Sequence, residues 1–573
     1  MKKWIPFVGL VVIVIVGGYF ILNKKDKVES KINLVINNQI KSFDPAVVFN
    51  DDSLFVMGQT LETLYQYHYL KRPFEVIPLL AESMPLISDD GKTYRIKIKK
   101  GIKYQNHNKD FEDTRTVKAE DFVWQIKRLA FEPLKSTGSW LFKGKLVGFD
   151  EFTQIVGQDF SKFLTEPLEG AKALDEYTLE LKLKQSEPNL LYFLSMTFTS
   201  PVPFELIEKY NNDLSEVLVG TGPYKYLGFE NERYLFNQYE DFHEEYYPSV
   251  GDRYANTEKL LSSSKERLPF IKEVEFRVIK DEEMRWFEFS HGSIDILDVP
   301  KRYLINFATH QSKISQEFAQ KGIEVKHFSR QTTRWLGFNM NDPILGKNKN
   351  LRKAIAHSID FDKYIELITN NTNLRSNSIF NPSIPGYRPD HKVRYQYNLE
   401  KAKEFFKISG HKPGELTLTY STRGKQKVHF EEAEFLQHQL GQLGINLKIN
   451  ALDFPDFLKE GRAGRLQFWT DNWIYDYPDA ENLLQLLITK NFPGINKSAF
   501  SNSQVDKLYD ELSNTLDKEK RFEIMYEIEK IVEEELPWVM LMYESTYIVR
   551  QKEIHNFRKS FFIRNYIKYL QKK

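Results

Sequence analysis

Asp89-Asp90-Gly91-Lys92-Thr93-Tyr94-Arg95-Ile96-Lys97-Ile98-Lys99 is a turn followed by a strand. The Asp-Asp-Gly cluster is turn chemistry, and Tyr94, Ile96 and Ile98 then alternate with Arg95, Lys97 and Lys99 in the two-residue period of a half-buried strand. The same period returns at Tyr177, Leu179, Leu181 and Leu183, alternating with Thr178, Glu180 and Lys182, before a Ser-Glu-Pro break at Ser186 to Pro188. Between these strands Phe122, Val123, Ile126 and Leu129 line one face of a helix. Strand, helix, strand within one stretch reads as a mixed α/β unit.

The pattern continues outward. Ile32 to Ile36 is a short apolar strand, and Ser42-Phe43-Asp44-Pro45 is a turn, because proline fixes its φ and pushes the preceding aspartate out of the helical region. Leu54 to Leu64 has helical spacing. Leu351 to Ile359 and Ala433, Leu436, Leu440 and Leu443 predict two more helices; Gly444 ends the second, and Ile445, Leu447 and Ile449 form a strand. A long helix through Phe522, Met525, Ile528 and Val532 stops at Leu536-Pro537, and Glu533-Glu534-Glu535 reads as its solvated face. No internal repeat and no long linker interrupts the series, so domains pack closely or share strands.

At 573 residues the chain exceeds one core, and length suggests roughly three or four folding units. Lys+Arg 80 against Asp+Glu 79 leaves no global field for nucleic acid or an anionic surface. Lys2 and Lys3, an apolar or small run from Ile5 to Leu22, then Lys24, Lys25 and Lys27 make residues 1–30 a membrane anchor or signal segment. The absence of an A-x-A-like cleavage site favours the uncleaved anchor, with everything after residue 30 exported. With Cys 0, disulfides, thiol catalysis, cysteine-based zinc sites and acylation as a lipoprotein are all excluded.

No G-x-S-x-G elbow and no phosphate-cradling glycine loop occurs, and His243-Glu244-Glu245-Tyr246-Tyr247 has tyrosine where a zincin needs its second histidine. No catalytic residue, metal ligand or cofactor is assigned. The stretch that carries binding chemistry is Trp473-Ile474-Tyr475-Asp476-Tyr477-Pro478-Asp479-Ala480-Glu481-Asn482. It sets aromatics around Asp476, and an acid beside rings is partly desolvated and attracts a cation. The same residues also read as a solvated loop aspartate among core aromatics.

Several segments, in order, resemble the peptide-binding branch of bacterial ABC-transporter solute receptors, solute-binding protein family 5, which binds oligopeptides and dipeptides. They are Ser42 to Pro45, Leu80-Ala81-Glu82-Ser83 through Asp89 to Gly101, Ala119-Glu120-Asp121-Phe122, Val219-Gly220-Thr221-Gly222-Pro223-Tyr224, Gly292 to Ile296, Phe338-Asn339, Leu351 to Ile355, Tyr397-Asn398 and Trp473 to Asp479. The resemblance implies a two-lobed clamp of the periplasmic-binding-protein type II, α/β in class, with an additional inserted domain. Its parts are 1–30 anchor or signal, 31–68 first part of lobe 1, 69–192 inserted domain, 193–297 second part of lobe 1, 298–536 lobe 2 and 537–573 last part of lobe 1.

It further implies a monomeric, non-enzymatic receptor at the outer face of the cytoplasmic membrane, handing peptides to a permease and its ATPase. A non-peptide solute, or a sensory role without transport, stays open. In the family's peptide binders the aspartate at the position of Asp476 meets the ligand's ammonium group. Backbone near Asn472 and Ile474 supplies one strand edge and the loop around Asp51 faces it, while Trp473, Tyr475 and Trp140 serve as walls; Trp140 reads equally as a core or domain-interface residue. Two departures stand out: Asn472 where glycine is usual, and Lys118 where a capping threonine is usual. The sequence names no residue for the ligand's carboxyl end.

Overall fold

The computed structural model describes residues 31–106, 111 and 115–573. The anchor or signal segment, 1–30, lies outside the described residues. Three sheets organise the rest. In the first, Lys31–Ile36 runs parallel to Glu273–Val278, which continues antiparallel into Arg233–Gln238 and Tyr224–Glu230. In the second, Leu86–Ile87, Thr93–Lys97, Thr178–Lys182 and Ala171–Asp175 pair antiparallel beside the helix Ala119–Ala130. The two strands legible from their two-residue period are partners in it, with Tyr94 opposite Leu181 and Ile96 opposite Leu179. All four side chains are buried in one core, because the period puts every second residue on the helix-covered face.

The third sheet joins the lobes. Its members are Ile296–Asp298, Trp538–Gln551, Ile323–Phe338, Phe468–Ile474, Thr417–Ser421 and Asn446–Asn450, in that order across the sheet, with Leu374–Arg375 also on Trp538–Gln551. Two strands are long, 16 and 14 residues, and they pair antiparallel through both lobes. At one end Ile548 packs with Ile32, Leu34 and Phe276 of the first sheet, and at the other Leu336, Phe338 and Leu541 enter the core of the second lobe. Sequence parts 298–536 and 537–573 therefore share one sheet.

Between the two ends the ladder slips. Ser329 faces Ser545 and Thr333 faces Tyr543, so Arg330, Gln331 and Thr332 oppose Glu544 alone. Such a bulge bends the strand and frees its carbonyls. Here they are caught: the buried Asn381 amide donates to the Arg330 and Thr332 carbonyls at 3.1 Å each, and the Tyr475 N–H donates to the Gln331 carbonyl at 2.9 Å.

Some expectations need correction. The helix expected over Leu54 to Leu64 spans only Asp51–Met57 and is capped by Gly58; Leu64 instead accepts from Leu79 and Ala81 in the connection to the inserted domain. Glu533-Glu534-Glu535 is no freely solvated face, since Glu533 accepts from His391 and both Glu534 and Glu535 pair with Lys349. The helix after Lys118 finds its cap in Asp121, whose Oδ2 accepts from the Lys118 N–H at 2.9 Å. Glycine at 220 is required by packing, as a Cβ there would lie 2.2 Å from the Thr60 carbonyl oxygen.

The opening turn locks the inserted domain to lobe 1. Arg128, fully buried on Ala119–Ala130, donates to both Asp44 carboxylate oxygens at 2.9 and 2.6 Å, and its Nε donates to Asn212 Oδ1 at 2.6 Å. Asp44 is 2% exposed, so removing the arginine strands a charge away from water. Arg128→Met is expected to destabilise the fold by about 3–5 kcal/mol, read as a lowered denaturant midpoint.

Candidate functional site

One cavity of about 690 Å³ lies between the lobes, and all seven residues singled out from the sequence line it: Asp51, Trp140, Asn472, Trp473, Ile474, Tyr475 and Asp476. They reach it from different elements. Asp51 opens the helix capped by Asn50, and its carboxylate is already held by Arg564 Nη2 at 2.7 Å. Trp140 belongs to a 3₁₀ turn of the inserted domain and stacks on Tyr477 of the other lobe, centroids 6.2 Å apart.

Asn472 to Ile474 end the strand Phe468–Ile474. One edge of that strand pairs with Ile323–Phe338, whereas the other meets Thr417–Ser421 only at Phe468 and Trp469. From Thr470 onward no strand covers the outer edge among the described residues. The Tyr475 N–H bonds inward to Gln331, so the alternation of an antiparallel ladder turns the backbone groups of Asn472 and Ile474 outward. The Asn472 N–H is taken by its neighbour Asp471 at 3.0 Å. The Ile474 side chain is 57% exposed at the cleft.

Asp476 follows directly. Its carboxylate Oδ2 accepts from the Asn482 amide at 3.1 Å, and its N–H donates to Asn482 Oδ1, also at 3.1 Å. The same Oδ1 accepts from Trp473 Nε1 at 2.8 Å. Asn482 is 0% exposed, so one buried amide fixes the indole, the loop and the acid together. Among the described residues no Lys, Arg or His nitrogen lies within 4.0 Å of the Asp476 carboxylate. Burial pushes this carboxyl up to about 6, against the Asn482 hydrogen bond and with a further push from Glu481.

The flanking tyrosines act differently from one another. Tyr475, 1% exposed, anchors the loop in the second lobe's core. Tyr477 crosses instead into the core of the inserted domain, against Trp140, Tyr192 and Phe193, while its hydroxyl donates to Glu481. Sequence reasoning missed Asn482, and also a polar group on the cavity wall. There Asp471 is held by Lys497 Nζ at 2.6 Å and approached by Arg423 at 3.4 Å, while Arg462 forms no ion pair among the described residues. Asp471 shares its strand with Trp473, which is the signal that could have pointed to it; Lys497 and Arg423 come from separate loops and carry none.

Among the described residues one trio could hold a metal ion: His391, Glu529 and Glu533. Arg388 Nη2 lies 3.3 Å from His391 Nδ1 and 2.6 Å from Glu529 Oε2. A guanidinium only donates, so Nδ1 accepts and Nε2 carries the proton it donates to Glu533 at 2.9 Å. Hydrogen bonds and the Arg388–Glu529 ion pair already engage the trio, and no metal is assigned to it.

A family model for bacterial extracellular solute-binding proteins, family 5 (middle region), matches residues 75–493, and the chain belongs to this family. It is thus a non-catalytic solute-binding protein of the ABC-transporter type, with the mixed α/β, two-lobed fold and extra domain of its relatives. It is similar to the dipeptide-binding protein DppE of Bacillus subtilis, 24% identical over 96% of this chain and 92% of that protein. It is also similar to heme-binding protein A of Haemophilus influenzae, 24% identical over 87% of this chain and 84% of that one. Among solved structures it matches the periplasmic binding protein DppA of Helicobacter pylori in complex with peptide STSA. The TM-score is 0.69 and the identity 22%, over 96% of this chain and 99% of that one.

The raised Asp476 carboxyl has a consequence for stability. The folded chain holds this proton up to about pH 6, whereas the unfolded chain releases it near 3.8. Native protein therefore binds more protons in that window, and the contribution is complete below about pH 4 and lost as pH rises through 6. Comparing Asp476→Asn with the parent chain by denaturation at pH 4 and pH 7 should show the parent losing about 2–3 kcal/mol more between them.

Proposed function

We propose that this protein is an extracytoplasmic receptor that binds short peptides by their free amino terminus in the inter-lobe cleft and delivers them to an ABC importer. The observation that carries the reading is Asp476, a desolvated carboxylate with no cation beside it, at the end of an uncovered strand edge. A buried charge without a partner is costly, and an ammonium ion arriving there removes the cost. The outer edge of Thr470–Ile474 offers backbone donors and acceptors to an extended chain, which gives affinity without regard to side chains. Asn50, Asp51 and Phe49 form the opposite wall, and Trp140, Trp335, Trp469 and Trp538 surround the space between.

Closure follows from the same elements. The lobes pivot on the bulged strand pair, and Tyr477 among Trp140, Tyr192 and Phe193, with Ser186 Oγ donating to the Asn514 carbonyl at 2.8 Å, holds the closed form. The names of a dipeptide-binding relative and a peptide-bound structure support a peptide. The heme-binding relative supports a second reading, but a heme carries no ammonium group for Asp476. The proposed location is the outer face of the cytoplasmic membrane, held by residues 5–22, with a permease and ATPase as partners and the receptor acting as a monomer.

Calorimetry with free-amine peptides tests this. Asp476→Asn, which keeps the shape and the Asn482 contact, should weaken binding by about 2–5 kcal/mol. No heat with any peptide, together with a bound heme or other non-peptide in native mass spectra of the purified protein, would overturn the ligand class.

A further inference from the structure

A second cavity, of about 400 Å³, adjoins the first and shares Gln331, Phe561 and Phe562 with it. Both lobes build its walls, with Arg72, Phe74 and Lys559 on one side and Pro382 to Ile384 on the other. Its charge is one-sided. The Arg72 guanidinium lies 4.1 Å from the Phe74 ring centroid and its Nη1 donates to the Tyr69 and Lys71 carbonyls at 3.3 and 2.7 Å. Its Nη2 is buried without a hydrogen-bond partner. Lys559 forms no hydrogen bond or ion pair among the described residues, and its Nζ stands 5.3 to 5.7 Å from the rings of Phe55, Phe561 and Tyr566.

The nearby acids are engaged elsewhere. Asp298 is paired with Arg330 at 3.3 Å, Asp51 with Arg564 at 2.7 Å, and Asp252 with Arg558 at 2.6 Å. Arg72 and Lys559 are thus surplus cations. Burial lowers both, Arg72 to about 9 with Arg558 adding to the fall, and Lys559 against the pull of Asp298. Two desolvated cations and no anion on one cavity are the mirror image of Asp476, since each carries a desolvation cost that the neighbouring rings offset in part and an opposite charge would offset further.

We infer that this side cavity receives an anionic group of the ligand, a carboxylate or a phosphoryl group, between Arg72 and Lys559. The inference rests on the peptide reading of the main cavity and adds to it: the preferred ligands carry a negative substituent as well as a free amine. The cavity has room for a side chain of several heavy atoms, and apolar rings along its walls would pack the stem of such a side chain.

The test uses the full chain and Lys559→Gln, a change that removes no hydrogen bond. Three free-amine, carboxyl-amidated peptide pools, identical except for Gln, Glu or phosphoserine at one position, are titrated by calorimetry. The Glu or phosphoserine pool should bind at least about tenfold tighter than the Gln pool, and Lys559→Gln should erase most of that gain while leaving the Gln pool unchanged. Which of the two acidic pools gains identifies carboxylate or phosphoryl as the guest. In a second arm inorganic phosphate alone should raise the melting temperature of the parent chain and not that of Lys559→Gln. If no peptide binds yet the phosphate effect is present and lost in the variant, the peptide reading fails and the anion pocket stands. Equal affinity for all three pools, a gain that survives Lys559→Gln, or phosphate stabilisation that is absent or unchanged in the variant when no peptide binds, overturns the inference.

Discussion

The molecule turns on three residues, Arg330, Gln331 and Thr332, where two strands that run through both lobes fall out of register. On either side of that bulge each strand belongs to a different core, and a second register shift follows between Arg334 and Trp335, so the ladder that joins the lobes has its irregularities gathered between the two cores. The freed carbonyls cannot be left bare in a buried hinge. Asn381 takes two of them and the Tyr475 N–H takes the third. That last bond ties the hinge to the residue before Asp476, and Gln331 lines both cavities. The bulge and the walls of the inter-lobe cavities are therefore one construction.

Asn482 plays the corresponding part inside the site. It satisfies an indole N–H, a backbone N–H and one carboxylate oxygen at once, and it leaves the other carboxylate oxygen of Asp476 without a hydrogen-bond partner among the described residues. The acid is oriented but uncompensated. Elsewhere among the described residues the protein pairs some buried charges closely, as with Arg128 and Asp44 or Arg334 and Glu432, and holds others without a counter-ion, as with Lys127 among the rings of Trp124, Phe152 and Phe163 and Arg352 among backbone carbonyls. What sets Asp476, Arg72 and Lys559 apart is that each lines the inter-lobe space. Sites where local satisfaction fails are where a missing component belongs.

Much of this was legible in the sequence, for definite reasons. Tyr94, Ile96 and Ile98 and Tyr177 to Leu183 showed their strands because one sheet face is covered by a helix, which imposes the two-residue period. The long helix through Phe522 stopped at Leu536 as expected, where φ of 54° takes a left-handed turn. The helix over Leu54 to Leu64 was overextended because its apolar spacing persists past Gly58 while the chain turns to join the inserted domain. Glu533 looked solvated because His391, its partner, is far away in sequence. For the site, the ten residues from Trp473 held the acid and its walls, but the uncovered edge, the keystone role of Asn482 and the cations of both cavities depend on contacts among distant segments. No local pattern encodes them.

The account stands or falls on a cation meeting Asp476. Its most direct measurement compares one peptide with itself, amino terminus free or acetylated, by calorimetry on the same protein at pH 7.5. Acetylation removes the positive charge and two of the three N–H donors, so it should reduce affinity by about a hundredfold or more. Equal binding of the acetylated and free forms would contradict the account, because the carboxylate would then be buried for some purpose other than holding an ammonium group.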